Sequence, residues 1–71
     1  MNTNTTIAVA GQLREGDVAI IYGRVVRITH VEDPRAQNIR FDYIEFDTTT
    51  NEYIHATRPA LLDRNAPVTF L

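Results

Sequence analysis

Apolar and polar residues alternate in short runs along most of this chain, and such alternation predicts β-strands with one buried face. The runs are rich in β-branched and aromatic residues and are separated by turn-forming residues. The predicted strands are Thr6–Ala10, Asp17–Tyr22, Arg24–Val31, Ile39–Asp47, Tyr53–Thr57 and Val68–Leu71. The segment Ala60–Asp63 is too short for a stable α-helix, so we expect one 3₁₀ turn there, before the last strand. The pattern therefore predicts an all-β domain of five or six short strands.

The longest predicted strand, Ile39–Asp47, changes the phase of its alternation. Its apolar side chains occupy alternate positions up to Tyr43 and then shift by one from Ile44 onward. A straight strand cannot keep one face buried through such a shift, so we expect a β-bulge or a sharp bend near Tyr43–Ile44. Short, bent strands with frequent turns predict a small antiparallel β-barrel.

The order of these elements resembles that of SH3-like barrels, in which a 3₁₀ turn lies between the last two strands. Within that group, Leu13–Val18 (LREGDV) and Tyr22–Ile28 (YGRVVRI) resemble the opening of the KOW-like N-terminal domain of translation elongation factor P. The resemblance covers Leu13 to about Tyr53 and implies an SH3-like fold. It implies no role in translation, because the factor's tip loop carries a modified lysine between glycine-rich turns. Here the loop Glu32–Asn38 has no glycine and the chain has no lysine, although Arg35 could occupy a similar tip.

The length of 71 residues is that of one domain. Residues 1–5 are small and polar and are expected to form a flexible tail, followed by a single barrel domain over residues 6–71. No apolar run approaches the ~18 residues of a membrane span. The first residues have neither the basic region nor the apolar segment of a signal peptide. We therefore expect a cytoplasmic protein that does not bind membranes.

The composition excludes several kinds of chemistry. The chain contains no Cys, Ser or Lys, which excludes disulfides, thiolate and serine nucleophiles, and Schiff-base lysines. His30 and His55 with Glu32 or Glu52 are a usable set of metal ligands, but they lie on separate strands and form no local motif. Their pattern favours ordinary strand histidines.

Acid–base catalysis would need carboxylates, and the sequence offers a group of three, Asp42, Glu45 and Asp47. The pattern favours solvated strand faces and turns for these residues, and a small barrel lacks the deep cleft of an enzyme. We expect no enzymatic activity, no metal, no cofactor and no small-molecule substrate.

Two binding functions remain open. The chain has more large apolar side chains than one small interior should hold, so some of them face a partner or a second copy, unless strong bending buries both strand faces. The residues that fall on such opposite faces are Ile21, Val25, Val31, Ile44 and Leu71. Nucleic-acid binding is the alternative, with an arginine and tyrosine surface made of Arg24, Arg27, Arg35, Arg40, Arg58, Tyr22, Tyr43 and Tyr53. The net charge of −2 speaks against it.

The sequence thus predicts a non-enzymatic protein–protein interaction module that can self-associate, of the kind found among phage or bacterial accessory and regulatory proteins. Tyrosine and arginine are the residues that interfaces favour. The predicted partner-binding residues are Tyr22, Arg24, Arg27, Arg35, Tyr43 and Tyr53.

Overall fold

A computed structural model of the chain describes residues 5–55 and 59–71, and these residues form seven strands and one 3₁₀ turn. The strands are β1 (Thr6–Val9), β2 (Val18–Ile21), β3 (Arg24–Val31), β4 (Asn38–Asp47), β5 (Glu52–His55), β6 (Ala60–Asp63) and β7 (Pro67–Phe70). The 3₁₀ turn is Ala10–Gln12. Of the predicted tail, only Thr5 belongs to the described residues, and it is exposed. The end of the fifth predicted strand, at Thr57, lies outside them.

All strand pairs are antiparallel, which confirms the predicted all-β antiparallel class. The strand order is β1-β7-β2-β3-β4-β5. The long strand β4 shares its remaining edge between two partners, since β6 pairs with its first half and β5 with its second half. Within the part of the chain that the structure describes, the sheet bends but does not close, so the expected barrel is an open one, with β1 and β5 as its ends.

The prediction for Ala60–Asp63 was wrong in its detail. These residues form strand β6, and Leu62 of β6 packs against the core. Backbone pairing explains the difference, because Asn38–Phe41 needs a partner on that edge and an extended segment satisfies its N–H and C=O groups. The 3₁₀ turn lies instead between β1 and β2, and the strands number seven rather than five or six.

The predicted irregularity near Tyr43 exists, but the extra residue belongs to the neighbouring strand. Ile28 of β3 pairs with Tyr43, whereas His30 pairs with Asp42, so Thr29 is left as the bulged residue. The bulge turns His30 out of phase with Ile28 and leaves its side chain exposed. Strand β4 itself keeps its alternation through Tyr43, so the apolar residue Ile44 lies on the outer face, opposite Arg27.

The core lies on the inner face of the bent sheet. Nine hydrophobic residues are buried, and they are Ala10, Leu13, Ala19, Ile21, Val26, Ile28, Ile39, Phe41 and Val68. No polar or charged side chain is buried among the residues described. No described helix is long and apolar enough to cross a membrane. The interior is therefore a dry hydrophobic cluster, and any polar chemistry takes place on the surface.

Candidate functional site

The turn between β2 and β3 has an unusual backbone. Ile21 pairs with Arg24, so only Tyr22 and Gly23 connect the two strands. Both have positive φ, 52° for Tyr22 and 77° for Gly23, as in the type I′ hairpin turn. The first position of that turn favours Asn, Asp or Gly, and a left-handed conformation costs other L-residues roughly 1–2 kcal/mol. A tyrosine is therefore held in a strained conformation at the tip of the hairpin.

Burial of the Tyr22 ring does not compensate for this strain, because the residue is 75% exposed. Residues in sparsely populated backbone regions concentrate at binding and catalytic sites, where the side chain has a use that justifies the strain. The exposed ring of Tyr22 therefore marks this end of the sheet as a candidate binding site.

A groove of about 270 Å³ lies beside the hairpin on the inner face, beyond the end of the core. Its lining comes from three adjacent strands and the turn, and consists of Ile21, Tyr22, Arg24, Val26, Tyr43 and Glu45. The floor is apolar, since Ile21 and Val26 belong to the buried core. Aromatic rings and one ion pair surround this floor, so the groove offers both apolar contact and hydrogen-bonding groups.

The charges of the groove are paired with each other. Arg24 Nη1 donates a hydrogen bond to Glu45 Oε1 at 2.9 Å. This hydrogen bond and the nearby negative charge raise the pKa of the Arg24 guanidinium above its ordinary value. An exposed pair of this kind contributes little to stability, because solvent screens the two charges. The Arg24 guanidinium has further N–H groups that remain able to donate hydrogen bonds to a ligand.

The aromatic side of the groove is anchored in the core. Tyr43 is partly buried, and its ring lies 6.0 Å from the ring of Phe41 in a tilted arrangement. Phe41 is fully enclosed. The core therefore holds the Tyr43 ring in place, whereas the Tyr22 ring projects into solvent.

The structure brings together three of the six predicted partner-binding residues, Tyr22, Arg24 and Tyr43. Two others lie on the outer face of the sheet. Arg27 is opposite Val18 and Ile44, and the ring of Tyr53 stands edge-on at 5.1 Å from Phe46.

The sixth, Arg35, lies in the loop between β3 and β4, at the opposite end of β3 from Tyr22. There its backbone N–H donates to Asp33 Oδ1 at 2.9 Å.

Sequence reasoning missed Glu45 as a member of the groove, because it was grouped with the solvated carboxylates. Strand periodicity contained the necessary information, since Glu45 is two residues beyond Tyr43 and so points to the same face. What the sequence did not show is the register that sets Glu45 opposite Val26, within reach of Arg24.

The five apolar residues predicted to be in excess divide between the two faces. Ile21 is buried and Val31 packs against the core. Val25 and Ile44 are half-buried, and Leu71 is exposed. Bending therefore places some of this apolar surface inside, but not all of it.

The outer face keeps an apolar row across four strands. Strand pairing sets Ile7 beside Thr69, Thr69 beside Ile20, and Ile20 beside Val25. Ile7 is 74% exposed, so the row is most open at β1. This face is a second candidate surface, separate from the groove.

The described arginines do not form one basic patch. Arg14 and Arg64 donate to backbone carbonyls, of Gly11 and Leu13 in the first case and of Pro34 and Ala36 in the second. Arg40 of β4 pairs with Leu61, away from the groove, and Arg58 lies outside the described residues.

Metal-ligating side chains are not clustered in the described part of the chain either. His30 Nδ1 lies 3.6 Å from Glu15 Oε2, but no group of three metal-ligating side chains occurs within residues 5–55 and 59–71.

No protein-family model matches the sequence, and no curated protein matches it either. The resemblance to SH3-like barrels and to elongation factor P therefore stays a prediction, and functional reasoning depends on the surface itself.

Proposed function

We propose that this protein is a non-enzymatic protein-binding module and that the hairpin groove is its recognition surface. The observation that carries the proposal is Tyr22, an aromatic residue in a strained turn position with its ring in solvent. Tyrosine is favoured at interface hot spots because it combines a large apolar ring with a hydroxyl group. A partner that covers this ring gains contact area that the isolated chain leaves unused.

The rest of the groove supports a polypeptide as ligand. The floor formed by Ile21 and Val26 accepts an apolar side chain, and the Arg24–Glu45 pair offers donors and acceptors to a backbone or a polar side chain. The groove is shallow and carries no net charge from this pair, so it suits a protein segment better than a small anionic ligand. The scattered positions of the described arginines give the nucleic-acid alternative no comparable support.

In this proposal the chain acts in the cytoplasm as an accessory or regulatory component, of phage or bacterial type.

Affinity capture with matched variants tests the proposal. The immobilised wild-type protein should retain a partner from its source cells. The Tyr22→Asn variant should retain at least about tenfold less of that partner, as expected for a hot-spot residue. Tyr53→Asn is the matched control, since it makes the same chemical change on the outer face. Loss with Tyr53→Asn and retention with Tyr22→Asn would place the binding surface on the outer face and contradict the groove.

A further inference from the structure

Strand β1 is an edge strand with the features of a pairing site. Among the described residues, no strand pairs with its outer edge. Proteins normally protect such edges with charged side chains, proline or a bulge. Strand β1 (Thr6–Val9, TIAV) has none of these, so its short length of four residues is the protection that its own sequence gives, and no charged side chain occurs anywhere in residues 1–13. The other strands at an end of the described sheet, β5 and β6, carry Glu52 and Asp63.

The register of β1 against β7 shows which backbone groups are free. Ala10 N–H donates to Ala66 O at 2.9 Å. Hydrogen-bonded positions in an antiparallel pair recur every two residues, so Ala8 and Thr6 also direct their backbone groups toward β7. The N–H and C=O groups of Ile7 and Val9 therefore point away from the sheet. The side chain of Ile7, on the outer face, is 74% exposed beside them.

We infer that β1 pairs with β1 of a second copy and forms an antiparallel dimer with two-fold symmetry. With Ala8 of both copies at the symmetry axis, Ile7 of each copy is opposite Val9 of the other, which makes about four backbone hydrogen bonds between the copies. This register also brings Ile7 and Val9 side chains together on the outer face. Because the strand is uncharged, no charge repulsion between its side chains opposes this pairing.

Pairing of β1 with β1 of a second copy fits this edge better than pairing of β1 with β5 of another molecule. Pairing of β1 with itself closes after two chains, whereas pairing between different edges leaves free ends and produces open-ended assemblies. The edge is only four residues long, so the interface falls below the ~800 Å² per partner of a standard stable interface. The dimer is accordingly weak, so its formation is tested at protein concentrations from about 10 µM to 1 mM.

Sedimentation equilibrium over that concentration range tests the dimer. The wild-type protein should move reversibly from monomer to dimer, and Ile7→Lys should weaken association by about tenfold or more, because lysine on an edge strand disfavours pairing. Ile54→Lys is the matched control, since Ile54 is an exposed isoleucine of the opposite end strand. A wild-type protein that stays monomeric throughout, or association lost only in Ile54→Lys, would overturn the inference.

Two further measurements separate edge pairing from simple adhesion of apolar faces. Val9→Pro keeps an apolar side chain but removes one outward N–H, so it should also weaken the dimer; a folded Val9→Pro that associates like the wild type would overturn edge pairing. Should that variant fail to fold, hydrogen exchange of the wild-type protein decides. Thr6 and Ala8 amides should be protected at every concentration, and Ile7 and Val9 amides only where the dimer forms. Ile7 and Val9 amides that exchange freely in the dimer would overturn the inference.

The dimer goes beyond the proposed groove function and does not depend on it. Tyr22 lies in the turn after β2, and β7 lies between β2 and β1, so Tyr22→Asn should leave self-association unchanged. Failure of one proposal is therefore distinguishable from failure of the other.

Discussion

The strain at Tyr22 gives a quantitative prediction about stability. A left-handed backbone costs an L-residue roughly 1–2 kcal/mol, and Asn tolerates it far better than Tyr. Replacing Tyr22, whose φ is 52°, with Asn should therefore recover about 1 kcal/mol of that cost. The lost ring contacts subtract little. Tyr22 keeps 75% of its exposure in the folded state, and realistic unfolded chains already bury about 10–40% of the extended-chain area.

Chemical denaturation followed by circular dichroism measures this effect. Tyr22→Asn should raise the free energy of unfolding by about 1 kcal/mol, which corresponds to about 4–8 °C in Tm for a domain of this size. Tyr22→Ala is the matched control, because it removes the ring but keeps a residue that disfavours positive φ. It should stay within about 0.5 kcal/mol of the wild type, as surface substitutions usually do. A Tyr22→Asn protein no more stable than Tyr22→Ala would refute the strain argument.

Two other predictions concern the core and the acid limit of stability. Phe41 is 1% exposed, so Phe41→Ala should lower the free energy of unfolding by about 3–5 kcal/mol and unfold much of the population at 25 °C. A variant that unfolds cooperatively with a free energy of unfolding less than about 1 kcal/mol below that of the wild type would contradict the assigned core. Hydrogen bonds from Asn65 N–H and from the Gln37 side chain lower the pKa of the Asp63 carboxyl. A carboxyl group whose pKa is lower in the folded state stabilises the fold at pH values above its unfolded-state pKa. This contribution to stability is lost as the pH falls through the folded-state pKa. The denaturation midpoint of the wild type should therefore fall more steeply below about pH 4 than that of Asp63→Asn, and parallel curves would contradict this role.

The sequence predicted most strands because their apolar alternation reflects a buried face. Arg24–Val31 has the predicted bounds, and β4 begins only one residue earlier than expected. Ala60–Asp63 could not be predicted in the same way, because its extended form comes from pairing with β4 rather than from its own pattern. The bulge at Thr29 was predicted in the wrong strand for a related reason, since pairing register is a property of two strands.

The candidate site was predictable only in part. Tyr22, Arg24 and Tyr43 were recognisable as residue types that interfaces favour. Arg27 and Tyr53 have the same character, yet strand alternation places them on the outer face of the folded sheet. The strain at Tyr22 depends on the turn geometry, and the residue type does not indicate it, because tyrosine ordinarily avoids positive φ. Surface composition thus indicates a binding function, whereas the location of the surface depends on the register.

Photo-crosslinking from position 22 tests the proposed recognition surface most directly. A photoreactive phenylalanine derivative in place of Tyr22 keeps an aromatic ring at the hairpin tip, and the same derivative in place of Tyr53 serves as the matched control on the outer face. On irradiation in the source cells, the proposed function predicts a discrete crosslinked protein partner from position 22 and none from position 53. A partner crosslinked only from position 53, or no partner from position 22, would contradict it.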